Sequence, residues 1–329
     1  MSQLQAIIEQ SVNSSLKIVP IERRAAKTLN YEAFLREYVD TNRPVIIEDA
    51  VPQWKALETW TPEYFRRRFG AETVNVTYGT SMNFAELIEA ILASNAEKPG
   101  PYLHKVIIHK DMPALLPDLT PENEYGFPGR YCSPLMPKHW QRPDGYLKLL
   151  MGGVGGKFPL MHYDTDNANA FITEIYGDKE FVLFSPGDTP KVYPTPGSEH
   201  TCQINDLDHP DLKRFPLFAD ALQYRGIIGP GEMIFVPSHW WHSARVVTTS
   251  ISVCTNMIGA SSWQGFVDEA CAPITGSWAS RTAKRIYLQF VGFLMSLAER
   301  FQAWLPNSGI ARLASRLSPA EAKYAADRF

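Results

Sequence analysis

Cysteine is scarce in this chain. Four occur in 329 residues, Cys132, Cys202, Cys254 and Cys271, and no two are close enough to form a CxxC pair. That excludes zinc-finger spacing and points to free thiols in a reducing compartment. A long hydrophobic run is also missing. The longest apolar stretch, 286–298, is interrupted by Gln289 and Ser296 and falls short of the roughly 20 residues that cross a bilayer. The first ten residues, MSQLQAIIEQ, lack a basic stretch followed by an apolar one, so no secretory leader is expected. Charge of one sign is not in excess: 32 Lys+Arg against 35 Asp+Glu leaves −3. This argues against a surface built for nucleic acid or anionic lipid. There is no internal repeat and no low-complexity tract. The expectation is a soluble, cytoplasmic protein with no membrane and no nucleic-acid partner.

Two glycine motifs are imitated but not met. A phosphate loop ending at Lys157 would need glycine where Met151 stands and Ser or Thr where Phe158 stands, and a dinucleotide motif starting at Gly153 would need glycine at that same Phe158. The glycines at 152–156 read instead as a tight turn between strands.

What is present is a globular composition, 45% hydrophobic and 20% charged. The length suits about two domains, or one large all-β enzyme domain with flanks. The 25 prolines exceed the usual ~5% and favour many strand–loop transitions over long helices. Tyr31, Phe34, Leu35 and Tyr38 have helical spacing within 30–42, and a short strand is expected over 44–47. Thr61 and Pro62 form a cap and first turn for a helix that Gly70 closes. Residues 73–78 alternate as a strand, 83–93 read as a helix, and 111–146, rich in Pro, Asn, Gly and aromatics, as a long ordered loop. From about 147 short strand-like runs follow one another between Gly, Pro and Asp turns: 147–151, 160–164, 170–176, 180–184, 227–228, 233–236, 242–247 and 250–258. That spacing predicts a sandwich or barrel. Beyond Gly276 the pattern turns helical. Ile286, Phe290, Phe293, Leu297, Phe301 and Trp304 step by three or four along one face, and Pro306 ends the helix. A capping box at Ser318–Glu321 opens a last short helix.

His162 and Asp164 flank Tyr163 in an expected strand, so period two puts both on one face. A third ligand is expected from a late strand. The stretch Gly231 to His242 supplies a turn, an apolar strand, a proline bend and a histidine. Two His and one carboxylate are the facial triad of non-haem Fe(II) oxygenases, which leaves positions open for cosubstrate and O₂. The competing reading is a structural His–Asp pair with a core histidine. His242 is preferred to His239 as third ligand, because His242 starts a strand and His239 sits in the turn. Lys179 shares a strand face with Phe181 and Leu183. A lysine on an apolar face needs an anion; Glu180 points the other way, and a bound dicarboxylate would supply the partner. A snorkelling lysine at a strand end is the alternative. In the last strand Ser250, Ser252, Cys254 and Asn256 line one face and Ile251, Val253 and Met257 the other. The polar face suits a lumen holding cosubstrate and metal, or a solvent-exposed edge. The Trp240–Trp241 pair reads as barrel packing.

HYD at 162–164, IYGDKEFVLFSP at 175–186 and GEMIFVPSHWWHSARV at 231–246 resemble the cupin-like JmjC hydroxylases, of the factor-inhibiting-HIF asparaginyl hydroxylase type. RPVIIEDAVPQWKALETWTPEYFRRRFG, at 43–70, also resembles the leading segment of that group. The resemblance covers roughly 43–258. It implies a mainly β fold, a double-stranded β-helix (jelly-roll, cupin/JmjC) with an N-terminal α/β flank and C-terminal helices. It implies Fe(II) and 2-oxoglutarate, with O₂ used to hydroxylate a protein or peptide side chain, or an N-methyl group in the demethylase branch; a small-molecule or RNA hydroxylase and a non-catalytic metal-binding cupin scaffold are the alternatives. By the same resemblance His162, Asp164 and His242 hold iron. Lys179 and Tyr102 meet the distal carboxylate of 2-oxoglutarate, although Tyr102 also reads as a core tyrosine. Asn256 and either Asn167 or Asn169 lie near the cosubstrate, and His104 contacts substrate. The sequence departs from the pattern in three places. The segment from His162 to Lys179 is about two residues longer, no Ser or Thr stands in 157–161, and no aromatic follows Asn256. The expected organisation is a catalytic domain over 1–260, its barrel core at about 145–260, and a helical region over 261–329 through which a homodimer forms, as in the resembling hydroxylase.

Overall fold

The structure is a computed structural model, describing residues 16–76, 80–126, 129–142, 147–158, 160–273, 278–305 and 308–318. Fifteen strands occur among them. The N-terminal part holds β1 (Lys17–Pro20), β2 (Arg23–Ala25), β3 (Val45–Glu48), β4 (Thr73–Asn75), β5 (Ser81–Asn83) and β6 (Tyr102–Ile107). The rest are β7 (Lys148–Gly152), β8 (Asn169–Tyr176), β9 (Lys179–Phe184), β10 (Pro194–Thr195), β11 (Ser198–Cys202), β12 (Leu222–Ile228), β13 (Met233–Val236), β14 (Trp241–Val246) and β15 (Ser250–Met257). A seven-stranded sheet runs β2-β3-β13-β8-β15-β7-β6 and a four-stranded sheet β1-β12-β9-β14, with two small hairpins, β4-β5 and β10-β11. The two sheets form a jelly roll whose inner faces enclose a lumen.

Period two decides which side chains enter that lumen. Ala170 and Ile172 of β8, Phe181 and Leu183 of β9, Ala244 and Val246 of β14 and Cys254 of β15 pack with Tyr102 and Leu150 in one inner cluster. The alternate residues, Phe171 and Ile175 of β8 and Ile251, Val253 and Met257 of β15, face outward into a second core. That core is covered by the N-terminal flank. Phe34 packs edge-on against Phe235 at 5.0 Å and against Tyr125 at 5.4 Å. Strand β8 is buried along seven of its eight residues because both its faces are covered.

The flank follows its local signals. Thr61 accepts a hydrogen bond from Tyr64 N and Pro62 opens the Pro62–Phe69 helix. Asn83 and Glu86 form a capping box for the Phe84–Leu92 helix. In the long connection, Asp118 receives the Trp60 Nε1–H at 3.0 Å and the Tyr64 hydroxyl at 3.2 Å, which ties it to the flank.

Two expectations are corrected. The 160–164 segment is not a strand: His162 makes only single antiparallel bridges, to His242 and to Thr201. His162 N donates to His242 O at 3.1 Å, but Tyr163 N already donates to His200 O. The segment changes partner at His162, so neither ladder extends. The second correction concerns the C-terminus. The Trp278–Trp304 helix forms as expected, but a Gly309–Leu317 helix, capped by Ser308, follows it before the Ser318 box. The short helix read at 318–321 lies, beyond Ser318 itself, outside the described residues. No helix among the described residues is long and apolar enough to cross a membrane.

Candidate metal centre and cosubstrate cavity

His162, Asp164 and His242 offer ligand atoms that all lie within 4.8 Å of one another, a group of donors suited to a metal ion among the described residues. The backbone sets the imidazoles. His162 Nδ1–H donates to its own segment's Leu160 O at 3.1 Å, and His242 Nδ1–H donates to Trp240 O at 3.0 Å. With Nδ1 committed, each Nε2 presents a lone pair, and His162 Nε2 lies 3.9 Å from Asp164 Oδ1. Burial, and then the neighbouring His242, push the His162 pKa down to about 3, so its ring stays neutral as a ligand requires. Burial raises the Asp164 carboxyl; the two imidazoles, Lys148 and an Asn256 hydrogen bond outweigh it and hold it below the usual carboxylate range. Two imidazole nitrogens, each with its Nδ1 on a backbone carbonyl, and one carboxylate fit a divalent iron on one face.

Behind the donors lies a cavity of about 260 Å³. Tyr102, His104, Leu150, Phe158, Ile172 and Phe181 contribute to its lining, and Lys148 sits at the metal end. Lys148 Nζ donates to Asn256 Oδ1 at 2.9 Å, and Asn256 Nδ2 donates to Asp164 Oδ2 at 2.9 Å, so the free carboxylate oxygen is held in place by a two-step relay. Where a hydroxyl is missing ahead of His162, Phe158 stacks on the His162 ring at 4.5 Å.

Lys179 is fully buried beside the cavity-lining Tyr102, its ammonium 5.6 Å from that ring. It donates to Ser252 Oγ and lies 3.5 Å from Glu174 Oε2. An acid therefore does face it, from the opposite sheet rather than from its own strand. The Lys179 pKa lies above its ordinary value: burial works against the charge, and Glu174 and Tyr102 outweigh it. Asn169 and Asn167 brace loops instead of lining the cavity. Asn169 Oδ1 accepts from Ser238 N at 2.9 Å, and Asn167 Nδ2 donates to Ser262 O at 2.8 Å. His104 packs edge-on against Phe158 at 5.1 Å. His239 turns away from the donor group: its Nε2 meets Glu269 Oε1 at 2.5 Å and its ring stacks on Tyr163 at 5.0 Å. Trp241 and Trp240 are buried, with their indole N–H groups on Thr189 Oγ1 and Asn42 O.

Two residues were missed by the sequence reading: Lys148, which lines the cavity, and Glu174, which faces Lys179. Glu174 follows Ala170 and Ile172 at period two on β8, and Lys148 precedes Leu150 on β7. Carrying the alternation one step further would have found both.

The chain matches the family model of the cupin-like domain over residues 31–257. It is 28% identical over 233 residues to lysine-specific demethylase 8 of Xenopus tropicalis, covering 68% of this chain and 49% of the relative. It is 30% identical over 246 residues to HSPB1-associated protein 1 of Homo sapiens, covering 64% and 47%. Against JmjC domain-containing protein A of Dictyostelium discoideum it is 27% identical over 261 residues, covering 72% and 96%. The chain thus spans about half the length of the first two relatives and nearly all of the third. With the match running through the jelly roll and all three donor residues, the chain belongs to the cupin-like JmjC family of Fe(II)- and 2-oxoglutarate-dependent oxygenases.

Proposed function

We propose that the protein is a 2-oxoglutarate-dependent dioxygenase that hydroxylates a side chain of a protein or peptide, releasing succinate and CO₂. The observation that carries this reading is the convergence of two backbone-oriented imidazoles and one carboxylate on a largely apolar cavity. Bound iron with 2-oxoglutarate and O₂ would supply the oxidising chemistry. His162, Asp164 and His242 hold the metal, and Asn256 with Lys148 orients Asp164. Lys179 and Tyr102 receive the distal carboxylate, and His104 at the cavity wall contacts substrate. Asn169 and Asn167 act on this reading by shaping the loops beside the centre. N-methyl demethylation is the second reading, favoured by the name of the Xenopus tropicalis relative, a lysine-specific demethylase. A catalytically silent cupin scaffold is disfavoured by the complete donor set.

The catalytic domain is assigned to 1–260 and the helical region to 261–329. That region supports a homodimer: Ile286, Phe290, Phe293 and Trp304 are each more than half exposed on the long helix. Four cysteines, none in a disulfide, support a reducing, cytoplasmic setting. The test is incubation of host peptides with enzyme, Fe(II), 2-oxoglutarate and O₂, followed by succinate assay and mass spectrometry. Gain of one oxygen by a peptide together with succinate supports hydroxylation, and loss of one methylene supports demethylation. Absence of succinate formation under all conditions overturns both.

A further inference from the structure

Glu174 is an acid fully buried on β8 beside Lys179. Its Oε1 accepts from Ser250 Oγ. Its Oε2 faces the Lys179 ammonium at 3.5 Å and makes no hydrogen bond among the described residues. The ionisable groups around it are Lys179 on β9 and Tyr102 on β6, while β15 contributes Ser250 and Ser252, with Cys254 farther along the same face. His162, Asp164, His242 and Lys148 lie at the metal end of the lumen. Lys179 is therefore one fixed cation that is already neutralised by one fixed anion.

A dicarboxylate whose distal end comes to Lys179 changes that balance. Two ionised carboxylates on one buried lysine carry a net negative charge into an apolar enclosure, and each destabilises the other. The carboxyl group with the weaker hold on its charge accepts a proton, as acids sharing one site do. The distal carboxyl of 2-oxoglutarate and a glutamate side chain are acids of similar strength in solution, so burial decides between them: Glu174 is fully buried, with Oε2 beside the shared cation and without a hydrogen bond among the described residues. Resting on the reading that Lys179 receives the cosubstrate, we infer that Glu174 is a member of that subsite, and that 2-oxoglutarate enters together with one proton from solvent which Glu174 keeps. Protonated Glu174 then donates from Oε2, and Lys179 keeps its full charge for the cosubstrate. Burial already raises the Glu174 pKa to about 7, with Lys179 and the serine hydroxyls opposing that rise, so the proton is within reach at neutral pH.

The experiment is calorimetric titration of 2-oxoglutarate into the anaerobic Fe(II)-loaded full chain, at about pH 6 and about pH 8.5, in buffers of differing ionisation heat. The expected result is uptake of about one proton per 2-oxoglutarate at the higher pH and almost none at the lower. Affinity should weaken on the order of thirtyfold between them. Glu174→Gln should abolish both the uptake and the pH dependence. Binding with no proton uptake and a constant affinity overturns the inference and leaves the proposed function standing. Persistence of the wild-type pH dependence in Glu174→Gln also overturns it. No binding of 2-oxoglutarate at either pH overturns the proposed function and this inference with it. The wild-type proton count decides on its own if the variant does not fold.

Discussion

At the residue scale, the two histidines three positions apart separate ligation from packing. His242 presents Nε2 to the donor group, whereas His239 is held by Glu269 outside it. His242→Ala, like His162→Ala or Asp164→Ala, is expected to abolish stoichiometric iron binding and 2-oxoglutarate turnover, and His239→Ala to retain both. Metal content after dialysis checks this, and the opposite ranking would exchange the third ligand. Lys179 carries a double role. Lys179→Ala should raise the KM for 2-oxoglutarate about ten- to a hundredfold, the worth of a charge-assisted pair of roughly 1.5–3 kcal/mol. It also strands Glu174 as a buried unpaired acid, so urea denaturation should show a loss of about 3–5 kcal/mol. The double change Lys179→Met with Glu174→Gln should recover most of that stability and none of the affinity. Glu174 also sets a pH dependence of folding in the apo protein. Its folded pKa, about 7, lies above the ordinary 4.5. The native state therefore holds this proton longer than the unfolded chain does. Its contribution is complete below the unfolded value, falls as pH rises through that window, and is gone above about 7, a total on the order of 3 kcal/mol. Glu174→Gln should flatten the stability profile over that range, measured by chemical denaturation; an unchanged profile would refute the assignment.

At the element scale, the site depends on contacts that local patterning does not describe. The loop before β7 is fastened to the C-terminal helix by a bidentate pair. Arg130 Nε meets Glu299 Oε1 at 2.9 Å and Nη2 meets Oε2 at 2.6 Å, both side chains nearly fully buried. Ser318 Oγ also donates to Glu299 Oε1, at 3.0 Å. Glu299→Ala is expected to cost about 3–5 kcal/mol, because it leaves a buried guanidinium unpaired. Hydrogen exchange should then increase first in the 129–142 connection and the Gly309–Leu317 helix, with β8 and β15 protected as before. Uniform loss of protection across all elements would show instead that the pair supports the barrel itself. The helices of the flank were legible because Thr61 and Asn83 advertise their own caps. The 160–164 segment was misread because alternation of side chains does not reveal whether a ladder partner is available on either edge.

At the scale of the whole molecule, the long helix carries two apolar faces. Leu288, Val291 and Met295 are buried in one cluster with Trp263 and Phe266, while Ile286, Phe290, Phe293 and Trp304 remain exposed. The stripe first read from the spacing is the exposed one, so it does not cap the chain's own core. A homodimer through this face should appear by light scattering at micromolar concentration, and Phe290→Asp with Leu297→Asp should convert it to monomer without loss of iron binding. A wild-type monomer at that concentration would refute the dimer. The sequence alone determined a sandwich or barrel, from short strands at regular spacing; it expected His162 and Asp164 on one face of a strand, and although 160–164 forms no strand, the two still meet with His242. It also determined that Lys179 requires an anion, from its apolar strand face. Only the tertiary structure decided which anion waits there, since Glu174 lies on the opposite sheet and the two meet only when the sheets close. It likewise decided that His162 takes its single bridges from two different strands, and which face of the long helix is left open. Each of these depends on the distance between segments remote along the chain, which hydrophobic periodicity within one segment does not encode.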